Sequence, residues 1–245
     1  MENIEEQLSS PFNFAEGEVL LVDKPSEWTS FDVVNKLKYT LIKSLGLPKR
    51  FKVGHAGTLD PLATGLLIVC TGKFTKRIDT FQAEDKEYTG SITIGATTPS
   101  YDLETEIDQT FDYAHITEED ILRTAKSFEG ALEQYPPAHS AVQIDGERAY
   151  EKARRGEDVA MKSRTVFIQE FEIEKIELPN VYFRIRCSKG TYIRSVANDF
   201  GKNLGVGGHL SALRRTKSGE FHVDNAWNLT ELVEKIKLQT TTALQ

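Results

Sequence analysis

The sequence predicts an α+β fold for this chain of 245 residues. Segments with strand periodicity and segments with helical periodicity are mixed along it, without the regular strand–helix alternation that builds a parallel sheet. Hydrophobic residues make up 39% and charged residues 27% of the chain, which is ordinary for a globular protein with a packed core. This length suffices for one well-cored domain, or for one domain with a small appendage.

The first part of the chain is predicted to contain two strands and two helices. Thr29 is a good N-cap residue, and Asp32 stands at the capping-box position three residues later. The helix that they begin is expected to end near Gly46 and Pro48. One side of it carries the apolar residues Phe31, Val34, Leu37 and Leu41. In chain order, the predicted elements are a strand over 18–22, this helix, a strand over 66–70 and a basic helix over 74–81.

The remainder of the chain continues to mix strands with helices. Residues 88–94 alternate with a period of two, as a half-buried strand does. Thr117 is a good N-cap for a helix with acidic residues in its first turn. The other predicted elements are a helix over 117–128, a short helix over 147–155, strands over 166–176 and 181–187, and helices over 192–204 and 229–238, with a fraying tail from Gln239.

Several classes of protein are excluded by the composition. No apolar run reaches the roughly 18 residues that a membrane span requires. The acidic first ten residues lack the apolar stretch of a signal peptide. Cys70 and Cys187 are too few for a disulfide framework or a four-ligand zinc site, and their apolar surroundings are typical of buried free thiols. We therefore expect a cytoplasmic protein that does not contact a membrane.

The charge is unevenly distributed along the chain. The net charge of −7 argues against a polyanion as the partner when it is judged globally. However, segments 1–20 and 100–134 are strongly acidic, whereas 48–77 and 186–219 are strongly basic. This segregation is compatible with a basic face that attracts a polyanion and equally with an ordinary solvated surface. If RNA is the partner, the acidic segment 100–120 is expected to point away from it.

The glycine-rich stretch 54–65 carries candidate chemistry, because it combines glycines with His55, Asp60 and Pro61. Asp60 is the only carboxylate within the basic window 48–77, and nearby cations lower the pKa of a carboxyl group. An ionised aspartate suits a nucleophile or an electrostatic stabiliser, and the alternative is a plain Asp-Pro turn. The stretch matches neither a P-loop nor a dinucleotide fingerprint, and His55 has no partner at metal-ligand spacing.

Five further blocks accompany this stretch in a recognisable order. They are Asp23-Lys24-Pro25; Lys86-Glu87-Tyr88; Pro136-Pro137 with Ser140-Ala141, Gly146, Arg148, Tyr150 and Ala153-Arg154; residues 187–194; and Gly208-His209-Leu210 with Leu213-Arg214-Arg215. Together the six blocks resemble the TruB-type tRNA pseudouridine synthases, which modify uridine 55 in the T-loop of tRNA. The resemblance extends over about residues 17–219, and six blocks in order are far more specific than one glycine-rich loop.

The resemblance implies a pseudouridine synthase fold, in which helices and RNA-contacting loops flank a mixed, mainly antiparallel central sheet. It implies an isomerase that acts on the T-stem-loop of tRNA without a metal or a cofactor. We expect a flexible acidic segment over 1–16 and a catalytic domain over 17–245, with an RNA-contacting insertion over about 130–163. No C-terminal PUA domain is expected. A monomer without an obligate protein partner is also expected.

Catalytic roles follow from the same resemblance for three residues. Asp60 is implied as the nucleophile, and Arg194 as its ion-pair partner, a role that suits a permanently charged guanidinium. Tyr88 is implied to stack on the target base and is a candidate for the transfer of the C5 proton. Whether Asp60 attacks C1′, deprotonates C2′ to give a glycal, or adds to C6 is left open by the sequence.

Substrate binding is implied for a further set of residues. Tyr192 and Leu213 line the uridine pocket, and His55 fills the gap that the flipped base leaves. Without the resemblance, Tyr88 and Tyr192 read as half-buried aromatic residues, and Leu213 as a core residue. The candidate contacts to the RNA backbone are Lys152, Arg154, Arg155, Lys162, Arg164, Arg214, Arg215 and Lys217.

Two other functions remain as alternatives. One is an RNA-folding module without catalysis, against which the presence of Asp60, Tyr88 and Arg194 argues. The other is a guide-RNA-dependent relative that acts inside a ribonucleoprotein, against which the expected lack of a PUA domain argues. Activity of the protein alone on bare tRNA distinguishes the stand-alone enzyme from both.

Overall fold

The computed structural model describes residues 12–14, 16–140, 142–144, 146–157 and 160–242. Its strands are β1 (Val19–Lys24), β2 (Val53–Ala56), β3 (Thr64–Thr71), β4 (Lys86–Ile94), β5 (Ala96–Thr97), β6 (Gln109–Thr110), β7 (Gly130–Gln134), β8 (Gln143–Ile144), β9 (Glu147–Arg148), β10 (Arg164–Glu177), β11 (Asn180–Cys187), β12 (Gly208–Ser218), β13 (Phe221–His222) and β14 (Trp227–Asn228). Its helices are α1 (Ser30–Leu45), α2 (Ile78–Ala83), α3 (Glu118–Ser127), α4 (Ala149–Arg154), α5 (Ile193–Leu204) and α6 (Leu229–Thr242). The predicted α+β class with a mixed sheet is confirmed.

The described chain divides into two compact units, and the division falls inside β12. Unit 1 comprises the described residues up to Glu84 and those from Arg214 onward, and unit 2 comprises Asp85–Leu213. None of the helices in the described part of the chain is long and apolar enough to cross a membrane. The extent of the predicted catalytic domain, 17–245, includes residues of both units and stays a prediction.

Unit 1 contains a mixed sheet with the strand order β14-β1-β3-β12. β1 runs antiparallel to β3, whereas β14 is parallel to β1, and β12 is parallel to β3. Helices α1 and α6 bury their apolar faces on this sheet, which gives a core that includes Leu20, Val33, Leu37, Leu67 and Leu232. This core holds β3 in place, and β3 is the strand that follows the Asp60 loop.

Unit 2 contains the strand order β12-β4-β11-β10-β7. β11 pairs antiparallel with both β4 and β10, and β10 pairs antiparallel with β7. An aromatic cluster of Phe128, Phe171, Phe183 and Phe200 joins α3 and α5 to the sheet, with ring centroids 5.7–6.3 Å apart. Such close aromatic contacts fix the position of α5, whose first turn carries Arg194.

The helix caps follow the sequence predictions closely. The Oγ1 of Thr29 accepts a hydrogen bond from the Asp32 N–H at 3.0 Å, and the Asp32 carboxylate accepts one from the Thr29 N–H at 2.9 Å. Helix α1 then ends at Gly46, which has a φ of 64°. The same capping box, built from Thr117 and Asp120, begins α3. The predicted capping box at Thr29 and the predicted N-cap at Thr117 are confirmed, because both depend on residues within one helical turn.

Some predicted boundaries and faces are wrong. Phe31 is 64% exposed, and α1 buries Val33 in its place, whereas the predicted Val34, Leu37 and Leu41 are buried. Residues 53–56 form strand β2 against β3 rather than a loop, so His55 lies on a strand. The last helix continues through Gln239 to Thr242. Residues 130–134 form β7 in the sheet of unit 2, and the extent of the predicted insertion stays a prediction.

The predicted flexible segment 1–16 is described only in part. Residues 1–11 and 15 lie outside the described residues. Phe14 is buried in the core of unit 1, and the rings of Phe12 and Phe14 have centroids 5.1 Å apart. Burial of its side chain stabilises the position of Phe14, and the flexibility of the segment as a whole stays a prediction.

Candidate active site

Asp60 lies in the loop that joins β2 to β3 in unit 1, and it is partly exposed. Its backbone carbonyl accepts a hydrogen bond from the Ala63 N–H at 3.1 Å, which closes the turn around Pro61. The neighbouring Leu59 is buried, and the Ser30 hydroxyl bridges its N–H and C=O at 2.8 and 3.1 Å. The first residue of α1 therefore fixes the backbone directly before the candidate nucleophile.

Lys24 fixes the backbone directly after Asp60. Its side chain is fully buried, and the ammonium donates to the carbonyls of Pro25, Trp28 and Pro61. Burial lowers the pKa of Lys24 to about 8, and the charge of Asp60 acts in the opposite direction. A buried ammonium is tolerated only where its donors are paired, and here three backbone carbonyls pair with it. Sequence reasoning placed Lys24 in a family block without assigning it this role.

Arg215 anchors the other part of the same loop. Its Nε donates to the Leu66 carbonyl at 2.7 Å, and its Nη2 donates to the Gly57 carbonyl at 3.1 Å. Gly65 makes the close approach possible, because a Cβ there would lie 2.3 Å from the Arg215 carbonyl oxygen. Arg215 is only 1% exposed, and its prediction as an RNA-backbone contact stays a prediction. Two nitrogen atoms of its guanidinium thus hold the loop.

His55 lies on β2 and is half-buried. Burial and, secondarily, the nearby Arg215 cation lower the pKa of His55 below its ordinary value. A lowered pKa favours the neutral ring near physiological pH, which is compatible with the predicted role of His55 in the gap left by a flipped base. Among the described residues, no group of three or more His, Cys, Asp or Glu side chains could hold a metal ion.

Arg194 lies in the first turn of α5 in unit 2 and is 3% exposed. Its Nη1 donates to the Ser100 carbonyl at 3.2 Å, and its Nε lies 3.6 Å from a carboxylate oxygen of Asp102. Asp102 is buried as well, so this is a buried ion pair. The predicted pairing of Arg194 with Asp60 stays a prediction.

Asp102 is a functional candidate that sequence reasoning missed. The turn around it is dense with hydrogen bonds: Thr98 Oγ1 donates to the Asp102 carbonyl at 2.6 Å, and the Glu104 N–H donates to its carboxylate at 3.0 Å. Tyr101 adopts a positive φ of 64°. Within segment 100–120, Asp102 contacts Arg194, and the expectation that the segment points away from the substrate stays a prediction. The sequence signal that could have identified Asp102 is the group of Ser and Thr residues around it.

The other residues predicted for the uridine pocket also lie in unit 2. Tyr88 is buried on β4, where it is the cross-strand partner of Ile185. Tyr192 is half-buried at the N-cap of α5, two residues before Arg194. Leu213 is half-buried on β12 and is the last residue of the unit. The structure thus places Tyr192 and Arg194 together at the start of one helix.

The candidate RNA-backbone contacts differ in how their charges are used. Arg214 makes a bidentate ion pair with Asp23, at 2.9 and 2.7 Å, and Arg155 pairs with Glu147 and Glu157. Arg164 stacks on the Tyr192 ring. The remaining candidates lie at separate positions: Lys162 and Lys217 are exposed, Lys152 is half-buried, and Arg154 lies on α4.

Comparison with known proteins identifies the family. A family model for the N-terminal domain of TruB family pseudouridylate synthases matches residues 44–193. A second model, for the C-terminal domain of tRNA pseudouridylate synthase B, matches residues 194–245. The tRNA pseudouridine synthase B of Flavobacterium johnsoniae is 59% identical over 93% of this chain and 100% of its own length. That of Phocaeicola vulgatus is 51% identical over 93% of this chain and 96% of its own.

Solved structures match the fold of this chain at lower sequence identity. A chain in the structure of an H/ACA RNP bound to a substrate RNA containing 2′-deoxyuridine matches with a TM-score of 0.69 and 29% identity, over 95% of this chain and 57% of that one. A chain in a Cbf5-Nop10-Gar1 complex matches with a TM-score of 0.70 and 29% identity, over 98% and 61%. This chain thus spans about three fifths of the length of those chains. By sequence and by fold, the chain belongs to the TruB family of tRNA pseudouridine synthases, which are isomerases.

Proposed function

We propose that this enzyme converts uridine 55 in the T-loop of tRNA to pseudouridine, with Asp60 as the nucleophile. The observation that carries the proposal is the 59% identity to a tRNA pseudouridine synthase B over 93% of the chain. The rigid setting of Asp60 supports its assignment as the nucleophile. Ser30, Lys24 and Arg215 hold the backbone before and after it, so that its carboxylate is presented on a fixed loop.

The reaction breaks the bond between N1 of uracil and C1′, turns the base, and forms a bond from C5 to C1′. Reactant and product are isomers, so no energy source is needed. The base has to leave its stack to be reached, which needs an aromatic surface in the pocket and a group that replaces the base. We assign the aromatic surface to Tyr88 and Tyr192, the wall to Leu213, and the replacement to the neutral ring of His55.

Three routes begin from an ionised Asp60. Its carboxylate can attack C1′ and release uracil, deprotonate C2′ to give a glycal, or add to C6 of the base. Each ends with loss of the C5 proton after the new bond has formed, and Tyr88 is our candidate for accepting that proton. A permanently charged Arg194 beside Asp60 would keep the carboxylate ionised in all three. The buried pairing of Arg194 with Asp102 supports a fixed position for the guanidinium.

The proposed enzyme acts as a monomer in the cytoplasm on the T-stem-loop, without a guide RNA or a partner protein. Relatives named tRNA pseudouridine synthase B that match over 96–100% of their own length support this reading. The similarity to chains of H/ACA and Cbf5 complexes keeps a guide-dependent function as the second candidate.

The test is a single-turnover reaction of purified protein with an unmodified tRNA transcript, with no metal, cofactor or guide RNA added. We expect one pseudouridine, mapped to position 55, and none in a matched transcript with cytidine at that position. Pseudouridine at another position in place of position 55 would overturn the proposed specificity for uridine 55. A folded protein that binds the transcript without forming product would favour the RNA-folding module or the guide-dependent relative.

A further inference from the structure

Two residues at the base of the predicted insertion hold Tyr192. Gln134 is the last residue of β7, Arg164 is the first residue of β10, and the two are cross-strand partners. They therefore stand where the chain leaves the sheet of unit 2 and where it returns. Both contact the same residue, Tyr192, which the proposed function places in the uridine pocket.

Gln134 holds the backbone of Tyr192. Its Nε2 donates to the Tyr192 carbonyl at 3.0 Å, and its Oε1 accepts from the Tyr192 N–H at 2.7 Å. The amide is fully buried, so water does not compete for either bond. In the next turn the Ser195 hydroxyl donates to the Tyr135 carbonyl at 2.7 Å. The end of β7 is thus joined to the first turn of α5, which carries Arg194.

Arg164 holds the ring of Tyr192. The guanidinium carbon lies 4.4 Å from the ring centroid, which is a close cation–π contact. On another side the guanidinium faces Gly190, where a Cβ would stand 3.6 Å from Nη1. A flat cation fits between a ring and a chain segment in a way that an ammonium does not.

The burial of two guanidinium nitrogens of Arg164 argues against a phosphate contact as its main role. Its Nε and Nη2 are covered and, in the described part of the chain, donate to no hydrogen-bond acceptor. No carboxylate among the described residues pairs with it. An RNA phosphate cannot reach these covered nitrogen atoms. The ring of Tyr192 already occupies one face of the guanidinium.

We propose that Gln134 and Arg164 are positioning residues for the reaction, which clamp the backbone and the ring of Tyr192 so that it meets the target uridine in one orientation. The inference rests on the proposed function, and it assigns Arg164 to the pocket instead of to the RNA backbone. Because the clamp stands at both ends of the insertion, RNA that engages the insertion would also act on the orientation of Tyr192.

The activity test separates positioning from RNA binding and from folding. Single-turnover rate constants at saturating enzyme and tRNA dissociation constants are measured for Arg164→Lys, Gln134→Met and, as the matched control, Arg186→Lys at an exposed strand position. We expect each clamp variant to lower the rate constant about tenfold, the size of a lost desolvated cation–π contact or a small misplacement, with the dissociation constant within about twofold of wild type. The control should match wild type.

A double-variant comparison shows whether Arg164 acts through the tyrosine. In a Tyr192→Leu background, Arg164→Lys should change the rate constant by less than about twofold, because the contact is already gone. An undiminished effect in that background would overturn the proposal. So would an Arg164→Lys enzyme with weaker tRNA binding and an unchanged rate constant, which would return Arg164 to the RNA backbone.

Hydrogen exchange of the free protein gives a readout that does not depend on activity. The Tyr192 amide should lose protection in Gln134→Met, while amides in the sheet keep theirs. If protection is unchanged, the clamp is not formed and the inference fails. If the Tyr192 amide is protected in wild type but the protein forms no pseudouridine, the proposed function is wrong. Gln134 and Arg164 then have only a structural role.

Discussion

The ion pair between Arg194 and Asp102 is the clearest case of a single contact with a predicted effect on catalysis. Arg194 is 3% exposed, so its charge depends on fixed partners rather than on water. The Ser100 carbonyl and the Asp102 carboxylate are two of these partners. A change to either should move the guanidinium away from the position that the reaction needs.

Asp102→Asn keeps the shape of the side chain and removes its charge. We expect the single-turnover rate constant to fall at least about tenfold, with little change in tRNA affinity, because a buried guanidinium shifts when the charge of one buried carboxylate partner is removed. The matched control is Glu106→Gln, an exposed acid of the same segment, which should behave as wild type. Equal rate constants for Asp102→Asn and wild type would show that the pair does not position Arg194.

The sequence failed to predict Asp102 and Gln134 for the same reason. Asp102 contacts a residue 92 positions further along the chain, and Gln134 contacts one 58 positions away. Contacts of this length depend on the sheet that brings the segments together, and no local pattern encodes them. Asp60 and Tyr192, by contrast, stand inside compact motifs, so their candidacy could be inferred before their surroundings were known.

Gly65, on strand β3, packs closely against the backbone of Arg215 on β12. It has a φ of 98°, and a Cβ there would lie 2.3 Å from the Arg215 carbonyl oxygen. Gly46 at the end of α1 also has a positive φ, of 64°, but a Cβ there would meet nothing within 4 Å. Substitutions at Gly65 and Gly46 can therefore be compared to separate the effect of steric overlap from that of backbone strain.

Gly65→Ala should therefore destabilise the protein by more than about 3 kcal/mol, because backbone strain and steric overlap add. Gly46→Ala should cost only about 1 kcal/mol, from the left-handed conformation alone. Denaturant unfolding of both variants measures the difference. Similar free energies of unfolding for the two would mean that β3 and β12 can separate at this point without cost.

Among the secondary-structure elements, those with local signals were predicted best. The capping boxes at Thr29 and Thr117 and the end of α1 at Gly46 depend on residues within one turn. Strand β2 was missed because it is short and exists only through its pairing with β3. Phe31 was misplaced because the packing of α1 with α6, not periodicity alone, selects the buried face.

For the chain as a whole, the charge distribution makes a prediction about RNA affinity. A net charge of −7 means that binding has to rely on local cations. Several of the candidate cations are already engaged: Arg215 is buried, Arg214 is paired with Asp23, and Arg155 is paired with two glutamates. Lys162 is exposed and remains suited to a phosphate contact.

Lys162→Ala should weaken tRNA binding and reduce the slope of log affinity against log salt by about one, because one phosphate contact is lost. Lys43→Ala removes the same charge from an exposed position on α1 outside the candidate set, and it should leave the slope unchanged. Filter binding over a salt series gives both slopes. Equal slopes for the two variants would show that Lys162 does not contact the RNA.

The central claim is that Asp60 is the nucleophile of an enzyme that makes pseudouridine at position 55 of tRNA. The most direct measurement is single-turnover pseudouridine formation at that position by wild type and by Asp60→Asn, with tRNA affinity and unfolding measured in parallel. The account predicts product with wild type and a rate at least about 1,000-fold lower with the variant, while affinity and stability are retained. An Asp60→Asn protein that still forms pseudouridine at a rate near wild type would contradict it.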